Sequence, residues 1–226
     1  MPAWEQGLKA LRRNDLHMRA VQRFRVLAPF VAEETAEPIT DVLPMGALQN
    51  VFRAQLVDDR SRVLGLHSVG DSYCHTNPLF AWGLCLGIDY GFELGRIVDE
   101  YPSDPEAQLL AFARLTAVEA EQCYRAVADE DRDRSLCWRG EQSEGAWLGR
   151  TFADFVRQCA LPTVSLDREV AREVIRRANL LDLPDSLSHN RKIVGRITSL
   201  QAEVSPAAPG SVPSRDELLQ LLGPRA

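Results

Sequence analysis

The chain is poor in the features that most directly announce a chemistry. Of its 226 residues only two are lysines, Lys9 and Lys192, and aromatics make up 7%. With a formal net charge of -6 it lacks the positive surface that grips a nucleic-acid backbone or an anionic membrane, so nucleic acid is not an expected partner. No apolar run reaches the length needed to span a bilayer, and the opening MPAWEQGLKALRRND has no apolar core of the kind a secretory signal carries. A cytoplasmic protein with no membrane span is the expectation. The five cysteines, Cys74, Cys85, Cys123, Cys137 and Cys159, are odd in number and include no Cys-x-x-Cys pair, which argues against a disulfide framework and for reduced thiols. There is no Gly-x-Ser-x-Gly elbow, no phosphate-binding Gly-Lys-Ser/Thr loop and no Gly-x-Gly-x-x-Gly turn.

What is present is concentrated between Val63 and Val98, VLGLHSVGDSYCHTNPLFAWGLCLGIDYGFELGRIV. The short apolar run Val63 to Val69 reads as a buried strand, ended by Gly70 and Asp71. A carboxylate at the carboxyl end of such a strand sits where α/β sheets bind ligands. The loop from Ser72 to Phe80 carries Asn77 and Pro78, and a helix is expected from about Ala81, with Gly83 in its first turn. From there glycine recurs at every fourth position, Gly83, Gly87, Gly91 and Gly95. Each costs a helix roughly 1 kcal/mol relative to alanine, and residues four apart share one face. A bare stripe of this kind implies close approach: a ligand at Gly83, where the first amides have no intrahelical partner, and a neighbouring helix or strand at the other three.

Gly70-Asp71, the loop to Pro78, and Gly83-Leu84 opening a helix resemble the second flavin fingerprint of the FAD-dependent monooxygenases, a superfamily that includes flavin-dependent halogenases. Phe80 stands where the family usually has glycine and Ser72 where alanine is usual, so Pro78-Leu79-Phe80-Ala81-Trp82-Gly83 is closer to the halogenase-like variant. The resemblance implies FAD as cofactor, with Gly70, Asp71, Pro78, Ala81, Trp82, Gly83 and Leu84 around it. It implies that Asp71 accepts a hydrogen bond from the ribityl chain and that backbone amides from Ala81 to Leu84 face the pyrimidine edge of the ring. It further implies oxygenation of an apolar or aromatic small molecule through a flavin hydroperoxide, with a flavin reductase or NAD(P)H as electron source. The fold expected is α/β, mostly α in this chain: the last strands and flavin-contacting helix of a Rossmann-like FAD/NAD(P)-binding fold, followed by a helical C-terminal region. Since nothing before Val63 provides a Gly-x-Gly-x-x-Gly turn, the chain resembles the C-terminal portion of such an enzyme, and no catalytic residue can be named. The alternatives are a non-catalytic remnant or helical interaction module, and one half of a split flavoenzyme whose other half is a separate chain docking on the glycine stripe.

The remaining stretches supply context. Trp4, Leu8 and Leu11 have helical spacing, and a second helix is expected from Asp15 toward Leu27, ended by Pro29. Pro38 to Gly46 fits an edge strand or extended segment, Leu48 to Val57 a strand, and Asp58-Asp59-Arg60 the turn of a hairpin leading into Val63. Asn50 and Arg53 face either a cleft or solvent. After Tyr101-Pro102, Ser103, Pro105 and Glu106 form a capping-box pattern for a long helix whose face is Leu110, Ala113, Ala117, Ala120, Tyr124 and Val127. The mixed charges from Asp129 to Arg134 read as a solvent-facing end, not a metal site. Two helices separated by Leu161-Pro162-Thr163 follow, with Arg176-Arg177 on a solvated face. Ser205 to Ser214 is a linker, and Ser214 with Glu217 caps a last helix stopped by Gly223. Residues 1–60 are thus assigned to the end of a substrate-domain-like segment, 61–100 to the strand-loop-helix, 101–204 to the helical region and 205–226 to the linker and terminal helix. Cys74-His75 carries neither a zinc site, which needs more ligands, nor an activated thiol, which needs an oriented base.

Overall fold

A computed structural model of the chain describes residues 5–32, 34–46, 48–56, 63–204 and 212–223. Helix dominates them. In chain order the α-helices are α1 (Asn14–Val21), α2 (Trp82–Glu100), α3 (Pro105–Trp138), α4 (Phe152–Phe155), α5 (Leu161–Thr163), α6 (Arg168–Ala178), α7 (Ser186–His189), α8 (Arg191–Ser199) and α9 (Arg215–Leu222). The strands among the described residues are β1 (Val51–Phe52) and β2 (Cys74–His75), paired antiparallel with Val51 opposite His75 and Phe52 opposite Cys74. The helical part of the expected fold is observed, and no described residue belongs to a parallel sheet. Among the described residues no helix is long and apolar enough to cross a membrane.

The chain divides into two units, one of Met1–Leu48, Trp138–Gly140 and Ser205–Ala226, the other of Gln49–Cys137 and Glu141–Val204. In the first, the stretch expected as an opening helix is a 3-10 helix, Gln6–Arg12, with no side-chain cap at Glu5; Trp4 lies outside the described residues. The second expected helix stops at Val21 rather than Leu27, and Pro29 sits in a separate 3-10 turn, Ala28–Phe30, whose first turn tolerates its missing N–H. Among the described residues Pro38 to Gly46 pairs with no strand. Leu8, Leu16 and Leu222 form the core, with Leu11, Leu219 and Trp138 against them. The expected capping box of α9 is present: Glu217 N donates to Ser214 Oγ at 3.3 Å and Ser214 N donates to Glu217 Oε2 at 2.7 Å. Gly223, at φ +83°, ends the helix. The linker residues 205–211 and the expected turn Asp58-Asp59-Arg60 lie outside the described residues.

The second unit is organised by α2 and α3. Four residues join them, a connection short enough to make antiparallel neighbours. Trp82, Leu86, Tyr90 and Ile97 of α2 bury against Phe112, Ala120, Cys123 and Val127 of α3, together with Tyr73 and Cys74. Tyr90 meets Phe112 edge-on at 6.2 Å and donates its hydroxyl to Glu119 at 3.0 Å. Asp104, not Ser103, caps α3, accepting from Ala107 N at 2.9 Å. The expected face of α3 is shared: Ala113, Ala120 and Val127 are buried, but Ala117 is exposed and Phe112, Thr116 and Cys123 fill the core instead. Over 34 residues a 3.6-residue period drifts off any fixed ridge.

Several sequence expectations change here. Val63 to Val69 is not a buried strand: Gly65 turns the chain at φ +77°, and Val63, Leu64 and Leu66 are 57%, 53% and 64% exposed. Of the strand expected over Leu48 to Val57, whose last residue lies outside the described residues, only β1 forms, and β1 pairs with β2 rather than with that run. Leu161-Pro162-Thr163 does not separate two helices. A π-helical turn, Val156–Ala160, carries α4 into α5 and makes room for Pro162, and the break falls after Thr163, where Asp167 caps α6 by accepting from Glu169 N and Val170 N at 2.8 and 3.1 Å. Arg177 is not on a solvated face: it lies 5.7 Å from the Trp82 ring centre and 5.9 Å from that of Phe152, donates Nε to the Pro184 carbonyl at 2.7 Å, and burial pushes its pKa down. Nor is Asp129 to Arg134 wholly solvent-facing, since Asp133 is 1% exposed and bonded to Thr151, while Asp131 reaches the loop before α2.

Candidate functional site

The entrance to α2 is built by a loop that the rest of the unit holds from three sides. Asn77 starts it. Its side-chain oxygen accepts from Leu79 N at 3.0 Å, which fixes the turn into the 3-10 helix Pro78–Phe80. Its Nδ2 donates to Asp131 Oδ1 at 2.7 Å, and its backbone N donates to Asn50 Oδ1 at 2.7 Å. Asn50 Nδ2 closes the circuit on Asp131 Oδ2 at 2.8 Å. The loop then passes through Ala81 at φ 56°, a left-handed conformation that costs any residue with a Cβ. That turn swings the chain directly into Trp82.

Ala81 gives α2 no capping oxygen. The first amides of a helix have no intrahelical acceptor, and together they carry about half a positive charge. The amide of Ala81 itself is engaged, donating to the Pro78 carbonyl at 3.1 Å. Trp82 is 2% exposed and its indole donates to the Ala178 carbonyl at 2.9 Å, so it is an anchor of the fold. Gly83 and Leu84 follow, the Leu84 side chain 70% exposed.

Against this entrance lies the 3-10 turn Gly70–Ser72. Gly70 takes φ +60°, and a Cβ built on Gly87 would stand 3.5 Å from its Cα. Asp71 is exposed, and its Oδ1 lies 3.3 Å from where a Gly83 Cβ would be. The Arg53 guanidinium clamps the back of the turn, donating to the Asp71 and Ser72 carbonyls at 3.1 and 3.3 Å. All seven residues expected from the sequence, Gly70, Asp71, Pro78, Ala81, Trp82, Gly83 and Leu84, therefore belong to one turn-loop-helix assembly, with the Trp82 side chain and the Ala81 amide committed to the fold. The glycine stripe reads differently from expectation. The 3-10 turn Gly70–Ser72 approaches Gly87, as expected of a neighbouring element, though with room for a methyl, whereas Gly91 and Gly95 meet nothing within 4 Å among the described residues.

Thr76 was not legible as a site residue. It is 6% exposed, its Oγ1 has no hydrogen-bond partner among the described residues, and that oxygen lies 3.9 Å from the missing Gly83 Cβ. An unsatisfied buried hydroxyl costs about 1–3 kcal/mol. The carboxylate of Asp71 and the hydroxyl of Thr76 thus flank one bare Cα beside a helix entrance. The donor set suits a ligand with hydroxyls to give to a carboxylate and acceptor atoms to receive from the Gly83 and Leu84 amides.

The neighbouring thiol is inert. Burial, with the Asp71 charge adding to it, pushes the Cys74 pKa up to about 11. Cys74 and His75 are successive strand residues and point to opposite faces, which rules out joint action. All five cysteines are free, and among the described residues no group of acidic, histidine and cysteine side chains could hold a metal ion. In comparisons with known proteins, no family, no curated protein and no solved structure matches the chain.

Proposed function

We propose that this chain forms one wall of a flavin site, of the kind found in FAD-dependent monooxygenases and halogenases. The observation that carries the reading is the cradle at Gly83: a carboxylate beside a bare Cα at the mouth of an uncapped helix, with an unpartnered hydroxyl next to it. The residues fit the group. Asp71 accepts from a ribityl hydroxyl, and the Gly83 and Leu84 amides, with the helix dipole behind them, face the pyrimidine edge and stabilise negative charge there. Any side chain at position 83 would fill the space. Bound FAD would supply two-electron chemistry and, once reduced, reactivity toward oxygen for an apolar or aromatic small molecule. Arg53 and the Asn50, Asn77 and Asp131 circuit hold the turn and the loop in register for that contact.

The other wall comes from a dinucleotide-binding half, on this polypeptide or another, docked along α2. The open face of the helix supports this. Leu84, Ile88 and Phe92 are 70%, 55% and 75% exposed in one row, with Gly91 and Gly95 open next to them. Apolar side chains contiguous on one face mark an interaction surface, and the glycines have no internal packing to explain them. A reductase or NAD(P)H delivers the electrons. Equilibrium dialysis against FAD tests the reading: retained flavin is expected for the wild-type chain and about tenfold weaker retention for Asp71→Ala. No retained flavin, or equal retention by both, would overturn it.

A further inference from the structure

The Thr76 hydroxyl is buried with no hydrogen-bond partner among the described residues; Asp71 is an exposed acceptor. Both flank the same bare Cα, with Asp71 Oδ1 at 3.3 Å and Thr76 Oγ1 at 3.9 Å from the missing Gly83 Cβ. We infer that Thr76 is the positioning residue for Asp71: when Asp71 turns toward a ligand hydroxyl, its carboxylate also accepts the Thr76 hydrogen bond, which fixes the orientation in which it receives the ligand. This rests on the flavin reading above and deepens it.

The chemistry is self-consistent. A carboxylate has lone pairs for several donors, so it takes the Thr76 and ligand hydroxyls together. Thr76 is buried, and its action through Asp71 requires no direct access for the ligand. A threonine kept at 6% exposure without a partner has no evident packing reason to be polar, because valine has nearly its shape and buries no hydroxyl. The acceptor it lacks is supplied in the bound state, and the unsatisfied hydroxyl of the free state disappears on binding. A site wired this way favours a polyol-bearing flavin over a bare ring, since only the polyol draws Asp71 into place.

Binding of riboflavin and of lumiflavin, which has the same ring without the ribityl chain, tests the inference in four chains: wild type, Thr76→Val, Thr76→Ser and Asp71→Ala/Thr76→Val. Thr76→Val is expected to weaken riboflavin about tenfold and leave lumiflavin unchanged, with Thr76→Ser restoring wild-type affinity. In the Asp71→Ala background Thr76→Val is expected to have no further effect, because the two residues act as one unit. Urea midpoints of the valine variant at or above wild type confirm that it folds. Riboflavin binding unaffected by Thr76→Val, or an effect that persists undiminished without Asp71, overturns the inference and leaves the flavin reading standing. Absence of riboflavin binding in the wild-type chain overturns both.

Discussion

The Oδ1 atom of Asp71 stands 3.3 Å from the point that a Gly83 Cβ would occupy, so the one glycine of the α2 stripe that meets a side chain at close range meets the cradle carboxylate. Gly83→Ala therefore separates folding from binding. Alanine gains up to about 1 kcal/mol of helix propensity, and the exposed Asp71 side chain can give by the few tenths of an ångström the methyl needs. Urea unfolding is expected to show unchanged or slightly raised stability, while FAD affinity falls at least about tenfold. Gly91→Ala and Gly95→Ala, with open space around them, should each stabilise the chain by about 1 kcal/mol and leave riboflavin binding by this chain on its own unchanged.

Asp131 holds the loop before α2 through two amide donors, from Asn50 at 2.8 Å and Asn77 at 2.7 Å. Asp131→Ala strips the acceptor from both and is expected to cost about 2 kcal/mol in urea unfolding. It should also weaken flavin binding, because the loop sets the backbone at Ala81. Asp131→Asn keeps an acceptor for one of the two and should lie between. Wild-type stability in Asp131→Ala would show that the circuit carries nothing.

In the first unit, Glu5 is 6% exposed and receives Arg215 at 2.6 and 3.0 Å. The guanidinium bonds hold its carboxyl below the ordinary carboxylate range. A folded-state pKa below the unfolded one contributes stability that is fully present above the unfolded pKa, near 4.3, and is lost as pH falls through the lower folded value. The urea midpoint of the wild-type chain should fall below about pH 4 more steeply than that of Glu5→Gln. Parallel curves would contradict the role given to this pair.

Thiol reactivity reports the packing of both core helices. Cys74 and Cys123 are buried with pKa values pushed up to about 11 and about 12, chiefly by desolvation, and Cys159 is buried and shifted upward as well. Cys85 and Cys137 are exposed. Iodoacetamide at pH 8 followed by mass spectrometry should label Cys85 and Cys137 and spare the other three. Cys85 lies three residues before Ile88 on α2 and so borders the same face, and a partner seated there should protect it selectively. Labelling of Cys74 at the rate of Cys85 would place the β2 strand wrongly.

The parts of this arrangement legible in the sequence are those set by local chemistry. The start of α2 follows from Asn77-Pro78 just ahead of it, and the α9 capping box from Ser214 and Glu217. Gly70 and Asp71 were legible as a break in the chain, but as the end of a buried strand rather than as a 3-10 turn against α2. What long-range contacts decide was not. Asp131 lies 54 residues from Asn77, and its run of mixed charges looks solvated until α3 turns it inward. Val63 to Val69 has strand composition, but Gly65 at φ +77° breaks it, and β1 finds its partner in β2. Thr76 gave no signal at all, because a buried hydroxyl without a partner is visible only once its neighbours are in place.

The central claim is that Asp71 and the entrance of α2 together bind flavin. Amide resonances followed during a riboflavin titration test it most directly, since they register weak binding as well as tight. The account predicts saturable shifts at Gly70, Gly83 and Leu84 in the wild-type chain and their loss in Asp71→Ala. Resonances at those three residues that stay fixed to the solubility limit of riboflavin, or that move identically in Asp71→Ala, would contradict it.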